Sequence, residues 1–261
     1  MTAGGKPLID IRGVRKQFRT RSGTLLDALA DTSLAVEANQ FICIVGPSGC
    51  GKSTLLRMIA GLETITSGVI TIDGAAVTGA RRDIGLVFQS PVMLPWRTIV
   101  KNVLVPAEVL KMSTANARQR AHELLKLVGL DGFADRYPDE LSGGMRQRAA
   151  IARALMHDPN ILLMDEPFGS LDAQTRLGLE DLVLRLRRRL GFSVILVTHD
   201  IDEAVYMADR VVVLSGKPAT VIDTVAIDLG MERDQIATKS DPRFVDYRNR
   251  VLSRFIGKDH A

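Results

Sequence analysis

The sequence predicts an α/β fold: a largely parallel sheet, antiparallel strands at its N-terminal end, and a helical segment inserted between its two halves. Three observations carry this. Short apolar, β-branched runs alternate with segments of helical spacing, as a parallel sheet with crossover helices requires. Asp73-Gly74 stands between two short β-prone runs, which is a hairpin signal. From Ile99 to Tyr137 the β-like runs stop and helical spacing takes over.

In chain order, residues 8–18 read as a strand ending at Phe18, and residues 29–37, with Leu34 and Val36 on one face, as another. Phe41-Ile42-Cys43-Ile44-Val45 reads as a buried strand. A helix follows from near Lys52, since Leu55, Leu56 and Ile59 recur at helical spacing, and Gly61 stops it. Residues 69–77 form the hairpin, and Ile84–Phe88 is a further buried strand. A turn region covers Ser90-Pro91 and Leu94–Arg97. Ser113 or Thr114 caps a helix carrying Ala117, Ala121, Leu124, Leu125 and Val128, and Gly129 ends it. Ser142 is the natural N-cap of a helix burying Met145, Ala149, Ala152 and Met156, with Pro159 marking its end. Then come a strand at Ile161–Met164, a helix over 173–190 and a strand at Ser193–Thr198. Asp200 and Glu203 have the spacing of a capping pair for a helix through Ala208, and Val211–Leu214 is another strand. The tail beyond Asp223 is polar and mixed and yields no element. The expected division is a core of residues 1–90 and 155–222, a helical part of 91–154, and a tail of 223–261.

The chain has 261 residues, 46% hydrophobic and 25% charged, ordinary values for a globular protein with a sizeable core. No run approaches the ~18 apolar residues of a membrane span. Met1 to Lys6 has no apolar core, so no secretory leader is expected. A net charge of +4 permits a nucleic acid or an anionic membrane as partner and establishes neither. Arg185, Arg187, Arg188 and Arg189 fall in a helical pattern with Leu182, Leu186 and Leu190, and read as a solvated helix face. Cys43 and Cys50 sit on the buried strand and in the loop after it, where a disulfide would tether that loop. Both read as reduced thiols of a cytosolic protein.

The chemistry is concentrated at strand ends. Gly46-Pro47-Ser48-Gly49-Cys50-Gly51-Lys52-Ser53-Thr54 lies between a strand and a helix, the context in which the G-x-x-x-x-G-K-[ST] pattern is believed. Its glycines let successive N–H groups turn inward around phosphate oxygens, and the helix start adds the positive end of its dipole. Lys52 reaches the β- and γ-phosphates and the Ser53 hydroxyl binds Mg²⁺, so the loop indicates a nucleoside triphosphate. Gln89, Asp165-Glu166 and His199 close three other strands, and in a parallel sheet all four ends face one crevice. Asp165 at the end of an apolar strand needs a partner such as Mg²⁺, and Glu166 beside it can orient water for phosphoryl transfer. Ser142-Gly143-Gly144 at a helix N-terminus is a second anion-binding cradle. One γ-phosphate needs a single cradle, so the simplest use for two is that each serves a different nucleotide, shared across two chains.

This set of motifs (Gly46–Thr54, Gln89, Leu141–Gln147, Ile161–Glu166, Ser170-Leu171-Asp172 and His199) resembles the ATP-binding subunit of ABC transporters over roughly residues 8–220. The resemblance implies a P-loop NTPase (RecA-like) core with an N-terminal antiparallel β subdomain and an inserted helical subdomain. It implies a head-to-tail dimer, ATP and Mg²⁺ as ligands, and two membrane permease subunits as partners at the cytoplasmic face of the cell membrane. A periplasmic binding protein acts indirectly, and no nucleic acid is expected. Carried over by position, Phe18 stacks on adenine and Gly46 through Thr54 cradle the phosphates. Ser53, Gln89 and Asp165 serve Mg²⁺. Glu166 is the catalytic base, and His199 contacts the γ-phosphate. Ser142, Gly143 and Gly144 face the partner's nucleotide, and Asp172 links the two sites. The chain has Gly169-Ser170-Leu171-Asp172 where Ser-Ala-Leu-Asp is commoner.

Met93–Trp96, Asp165–Gly169 and Thr198–Ala204 look like bacterial importers of nitrate, aliphatic sulfonates and taurine. Another small nutrient, such as a pyrimidine precursor, is the alternative substrate. In that reading residues 90–110 form part of a groove for a permease helix, with Pro95 and Trp96 as contacts. The competing class is a soluble ATPase of the same type acting on nucleic acid or ribosomes, and a lower reading is a small-molecule kinase. Cys50 in the phosphate loop suggests sensitivity to thiol modifiers.

Overall fold

The computed structural model describes residues 6–256. It divides into two compact units: residues up to Arg81 together with those from Ser193 onward, and Arg82–Phe192. The sequence division grouped 82–90 and 155–192 with the first unit and set the tail apart. By packing, 82–192 cluster together and the tail joins the first unit.

The first unit opens with strands β1 (Ile9–Arg19) and β2 (Leu25–Val36), followed by β3 (Phe41–Val45), helix α1 (Lys52–Ile59), β4 (Ser67–Ile72) and β5 (Ala75–Ala76). β1, β2, β4 and β5 make an antiparallel sheet in the order β2-β1-β4-β5. Asp73 and Gly74 both take positive φ, 51° and 75°, which the two-residue turn between β4 and β5 demands. β3 is not part of this sheet. β2 begins four residues before the expected start, because backbone pairing of Arg19 with Leu25 extends the hairpin past the last buried residue. Leu25 and Leu26 are exposed there, so no hydrophobic pattern marks the extension.

All five β3 side chains are buried, as in a strand covered on both faces. The second half of the chain supplies its neighbours. β8 (Ser193–Val197) pairs with it in parallel, Ile44 opposite Val197, and β9 (Arg210–Leu214) does so on the other edge, Val45 opposite Val213. Between them runs α7 (Ile201–Met207). The tail does form structure. β10 (Val221–Ala226) pairs antiparallel with β9, and α8 (Pro242–Ile256) packs on α7, β9 and β10 with Phe244 and Val251 buried.

In the second unit, β6 (Ile84–Val87) and β7 (Ile161–Asp165) pair in parallel. Between them lie α2 (Ile99–Val103), α3 (Val105–Val109), α4 (Thr114–Leu127) and α5 (Gly143–Ala154), and after them α6 (Ala173–Leu190). α5 packs on α2, α3, α4, α6 and β6 and is the spine of this unit. It ends at Ala154, five residues before Pro159. α6 has the predicted bounds, capped by Asp172 and closed by Gly191 in the left-handed conformation. Of the four arginines in its second half Arg187 is buried while Arg185, Arg188 and Arg189 are exposed, so the solvated face is smaller than expected. Arg187 falls on the inward stripe of Leu179, Glu180, Val183 and Leu186.

Asn102 in α2 is fully buried and organises the turn ahead of it. Its Oδ1 accepts from the Leu94 amide at 2.7 Å, and its Nδ2 donates to the carbonyls of Leu94, Arg97 and Thr98 at 2.9–3.1 Å. Replacing it strands several buried backbone groups. Asn102→Ala is expected to cost about 2 to 3 kcal/mol, read as a lower midpoint in urea unfolding.

Candidate functional site

The phosphate loop occupies Gly46 to Gly51, between the end of β3 and the first residue of α1. Gly51 takes φ +123°, and a β-carbon there would come within 3.0 Å of the Ala28 carbonyl oxygen, so only glycine closes this turn. Pro47, Ser48 and Gly49 are exposed, while Ser53 and Thr54 are half-buried at the helix start. Cys50 points inward: a β-carbon on Gly46 would meet its Sγ at 3.0 Å and Leu214 Cβ at 3.1 Å. At 1% exposure the thiol is sealed in the base of the loop, which argues against the modifier sensitivity expected from sequence.

Lys52 is 4% exposed. Its Nζ donates to the Gly46 carbonyl at 2.8 Å and the Pro47 carbonyl at 3.1 Å. Among the described residues it forms no ion pair. A nearly dry ammonium balanced by carbonyl dipoles alone favours an anion beside it.

Because Ile44 stands opposite Val197, β8 ends beside β3, and His199 emerges exposed two residues later at the same end. The Asp200 amide donates to Thr198 Oγ1 at 3.0 Å, and Asp200 Oδ1 accepts from the Glu203 amide at 3.1 Å, capping α7 as the spacing predicted. β9, on the other side of β3, leads into a turn whose Lys217 Nζ lies 3.8 Å from where a β-carbon on Gly49 would stand. Sequence reasoning missed Lys217. Its signal was Gly216-Lys217-Pro218 directly after a strand that neighbours the phosphate-loop strand. Phe18, near the end of β1, is half-buried with Lys16 Nζ 4.7 Å from its ring centroid. That ammonium also bonds Glu63 Oε1 and the Thr64 carbonyl, each at 2.7 Å, and its hydrogen bond holds the Glu63 carboxyl below its usual range.

The second unit brings together Gln89, Asp165 and Glu166. Val87 stands opposite Met164, so the segments leaving β6 and β7 start side by side. Asp165, 8% exposed, is the last residue of β7. Glu166 follows with φ +44°, a left-handed conformation that strains a residue with a side chain by about 1 to 3 kcal/mol. Gln89 is exposed, but its neighbour is fastened: buried Gln147 Nε2 donates to the Phe88 carbonyl at 3.3 Å. Arg153 Nη1 donates to the Val92 carbonyl at 2.5 Å, and His157 Nε2 lies 3.1 Å from the Ile84 carbonyl. α5, through Gln147 and Arg153, and His157 in the turn after it therefore hold β6 and the Gln89 segment at three points. Gln147 was missed because the helical pattern counted only apolar residues as inward-facing.

At the start of α5 the Ser142 Oγ accepts from the Met145 amide at 3.3 Å, the expected cap. A β-carbon on Gly144 would sit 2.3 Å from Thr175 Cγ2, so the starts of α5 and α6 interlock. Asp172 caps α6 by accepting from the Thr175 amide at 2.9 Å, and hydrogen bonds from the Thr175 side chain and amide hold its carboxyl below the usual range. Further along this unit, Trp96 is 72% exposed and not a packed loop residue. It lines a cleft of about 660 Å³ with Arg97, Lys101, Leu104, Glu108 and Met112.

Among the described residues no helix is long and apolar enough to cross a membrane. The family model described as ABC transporter matches residues 29–169. Aliphatic sulfonates import ATP-binding protein SsuB 2 of Agrobacterium fabrum is 43% identical, covering 100% of this chain and 94% of its own length. Taurine import ATP-binding protein TauB of Yersinia pestis is 44% identical over 87% of this chain and 91% of its own. A solved dimeric ATP-binding cassette, in a post-hydrolysis state bound to ADP and Pi, is similar with a TM-score of 0.74 and 34% identity, over 84% of this chain and 99% of that one. With a family match across more than half of its residues and relatives alike over most of its length, the chain belongs to the ABC transporter family.

Proposed function

We propose that the chain is the ATP-hydrolysing subunit of a bacterial importer for a small anion of the sulfonate, taurine or nitrate kind. The observation that carries the ATPase reading is Lys52, buried in a glycine-turned loop at the start of α1 with its ammonium hydrogen-bonded to the Gly46 and Pro47 carbonyls. The names of SsuB 2 and TauB support import over action on nucleic acid, and their sulfonate substrates suggest the class of cargo.

In this reading the amides of Gly46–Thr54 and the Lys52 ammonium bind the triphosphate, and Phe18 packs on the base. Ser53, Gln89 and Asp165 would hold Mg²⁺, which when bound neutralises phosphate charge. The donor set fits that ion. Among the described residues no three His, Cys, Asp or Glu side chains cluster as a metal cage, and Mg²⁺ takes one or two protein ligands plus phosphate oxygens and water. Glu166 orients the attacking water and accepts its proton, and His199 donates toward the γ-phosphate. The Ser142–Gly144 helix start faces the triphosphate of a second copy, supported by the dimeric cassette among the structural relatives. Asp172 links the two sites. The helical part, 91–154, docks on two permease subunits at the cytoplasmic face of the membrane, with Trp96 and its cleft as the seat. A binding protein outside the membrane selects the cargo.

Three outcomes test this. Lys52→Ala should weaken ATP binding at least about tenfold in a fluorescent-nucleotide titration, the loss of one charge-assisted contact. Glu166→Gln should slow hydrolysis by about 100-fold or more while ATP still binds. Near-normal turnover would remove Glu166 from the role of base. Gly144→Ala should slow hydrolysis by pushing the new methyl onto Thr175, and Thr175→Ala in the same chain should restore much of the rate. The import assignment is read by purification from membranes: permease subunits should co-purify, and a binding protein loaded with a sulfonate should stimulate the ATPase.

A further inference from the structure

His199 is the residue through which the proposed site senses the γ-phosphate, and its position depends on a short element. α7 has seven residues, and its N-cap Asp200 directly follows His199. A helix of two turns has little stability of its own, so packing decides where it lies. Much of that packing comes from the C-terminal segment.

That segment is fastened away from α7. Arg254 Nε bonds Asp223 Oδ2 at 2.8 Å, the Asp228 amide donates to Tyr247 Oη at 3.3 Å, and Arg243 Nη1 donates to the Asp228 carbonyl at 3.2 Å. It then reaches α7 at both ends. At the far end Lys239 Nζ lies 4.9 Å from the Tyr206 ring centroid, and Arg233 Nη2 donates to the Ala208 carbonyl at 3.3 Å. At the near end Arg248 Nε is 4.0 Å from Asp202 Oδ1. A cleft of about 490 Å³ separates the two elements there. One wall is His199, Asp200, Ile201 and Asp202, and the other is Arg248 and Leu252 of α8. The switch segment, His199 with the start of α7, thus faces open space in front of α8, and α8 reaches it through Arg248 beside Asp202.

We propose that α8 is a positioning element for the switch: through Arg248 and the buried Val251 face it sets the placement of α7, and so the orientation of His199 toward the terminal phosphate. This rests on the reading of His199 given above. α8 touches no reacting atom. Its effect is on the fraction of chains whose His199 is correctly placed, so it acts on turnover and not on the grip of the phosphate loop.

The test uses the full chain. Steady-state hydrolysis is measured for the wild type, Arg248→Ala, Arg248→Lys, Val251→Ala and His199→Ala, with rates expressed per nucleotide-binding site so that misfolded chains do not count. Arg248→Ala should lower kcat two- to threefold and Val251→Ala up to tenfold, with KM for Mg-ATP within twofold of wild type. Arg248→Lys should keep the rate. Amide hydrogen exchange should quicken across 200–207 in both α8 alanine variants and stay unchanged in β3. A normal kcat in both, or a fall in kcat without faster exchange across 200–207, overturns the proposal. His199→Ala separates the two readings. If it is slow while both α8 variants are normal, the switch stands and the role of α8 falls. If it hydrolyses at the wild-type rate, the switch reading fails and takes the proposal with it.

Discussion

A cation nearly sealed from water needs more than carbonyl dipoles around it, and Lys52 is in that position. Much of the first unit fixes the surroundings of this one group. β3 brings the loop out of a strand buried on both faces, and α1 starts at the lysine itself, so the unpaired amides of its first turn stand at the end of the loop. The neighbouring strands β8 and β9 deliver His199 and Lys217 to the same end of the sheet. The parallel arrangement is what makes this possible: adjacent strands running in one direction end at one edge, and each end can carry a different polar residue to the same ligand.

The second unit solves a different problem, which is to keep acidic and amide groups in place without burying them unpaired. Glu166 stands in a strained left-handed conformation just past the buried end of β7, with Phe168 buried two residues on. Gln89 faces solvent while the chain on either side of it is tied down by Gln147 and Arg153 of α5 and by His157 just beyond that helix. The same helix presents Ser142 and Gly144 at its other end, where Gly144 leaves no room beyond Thr175. α5 thus links the Gln89 segment to the Ser142–Gly144 turn and, through Thr175, to the start of α6. Within this unit Gln89 and the Ser142–Gly144 turn proposed to face the second nucleotide belong to one packed body.

How much of this was legible in the sequence depends on whether a feature is local. α6 was readable to the residue because both of its ends are set by residue type, Asp172 as cap and Gly191 as left-handed stop. The turn after β4 was readable because Asp-Gly is demanded by two positive φ values. The phosphate loop, the β7 end and the α5 cap followed for the same reason. Asn102 was not readable, since a buried polar residue in a helix looks like an exposed one until its four partners are known. Gln147 was missed in the same way. α8 was missed because its arginines mask a regular stripe of Phe244, Tyr247 and Val251 at spacings of three and four. The early start of β2 left no signal at all, because exposed Leu25 and Leu26 belong to a strand by backbone pairing and not by burial.

The features that escaped share a physical character that bears on how such a chain works. Motif residues meet a ligand of fixed shape, so their types and spacing are dictated and can be read. Residues that transmit a change act through packing, and many different side chains can do that equally well. α7 illustrates the point. The His199–Asp200 step at its start is set by chemistry, yet the helix lies against α8, an element some forty residues away. A sensor that must respond to one phosphate belongs on an element with little stability of its own, because a rigid one could not be biased by so small a difference in contact. The surrounding structure must then supply the restoring force, and here that part falls to the C-terminal helix.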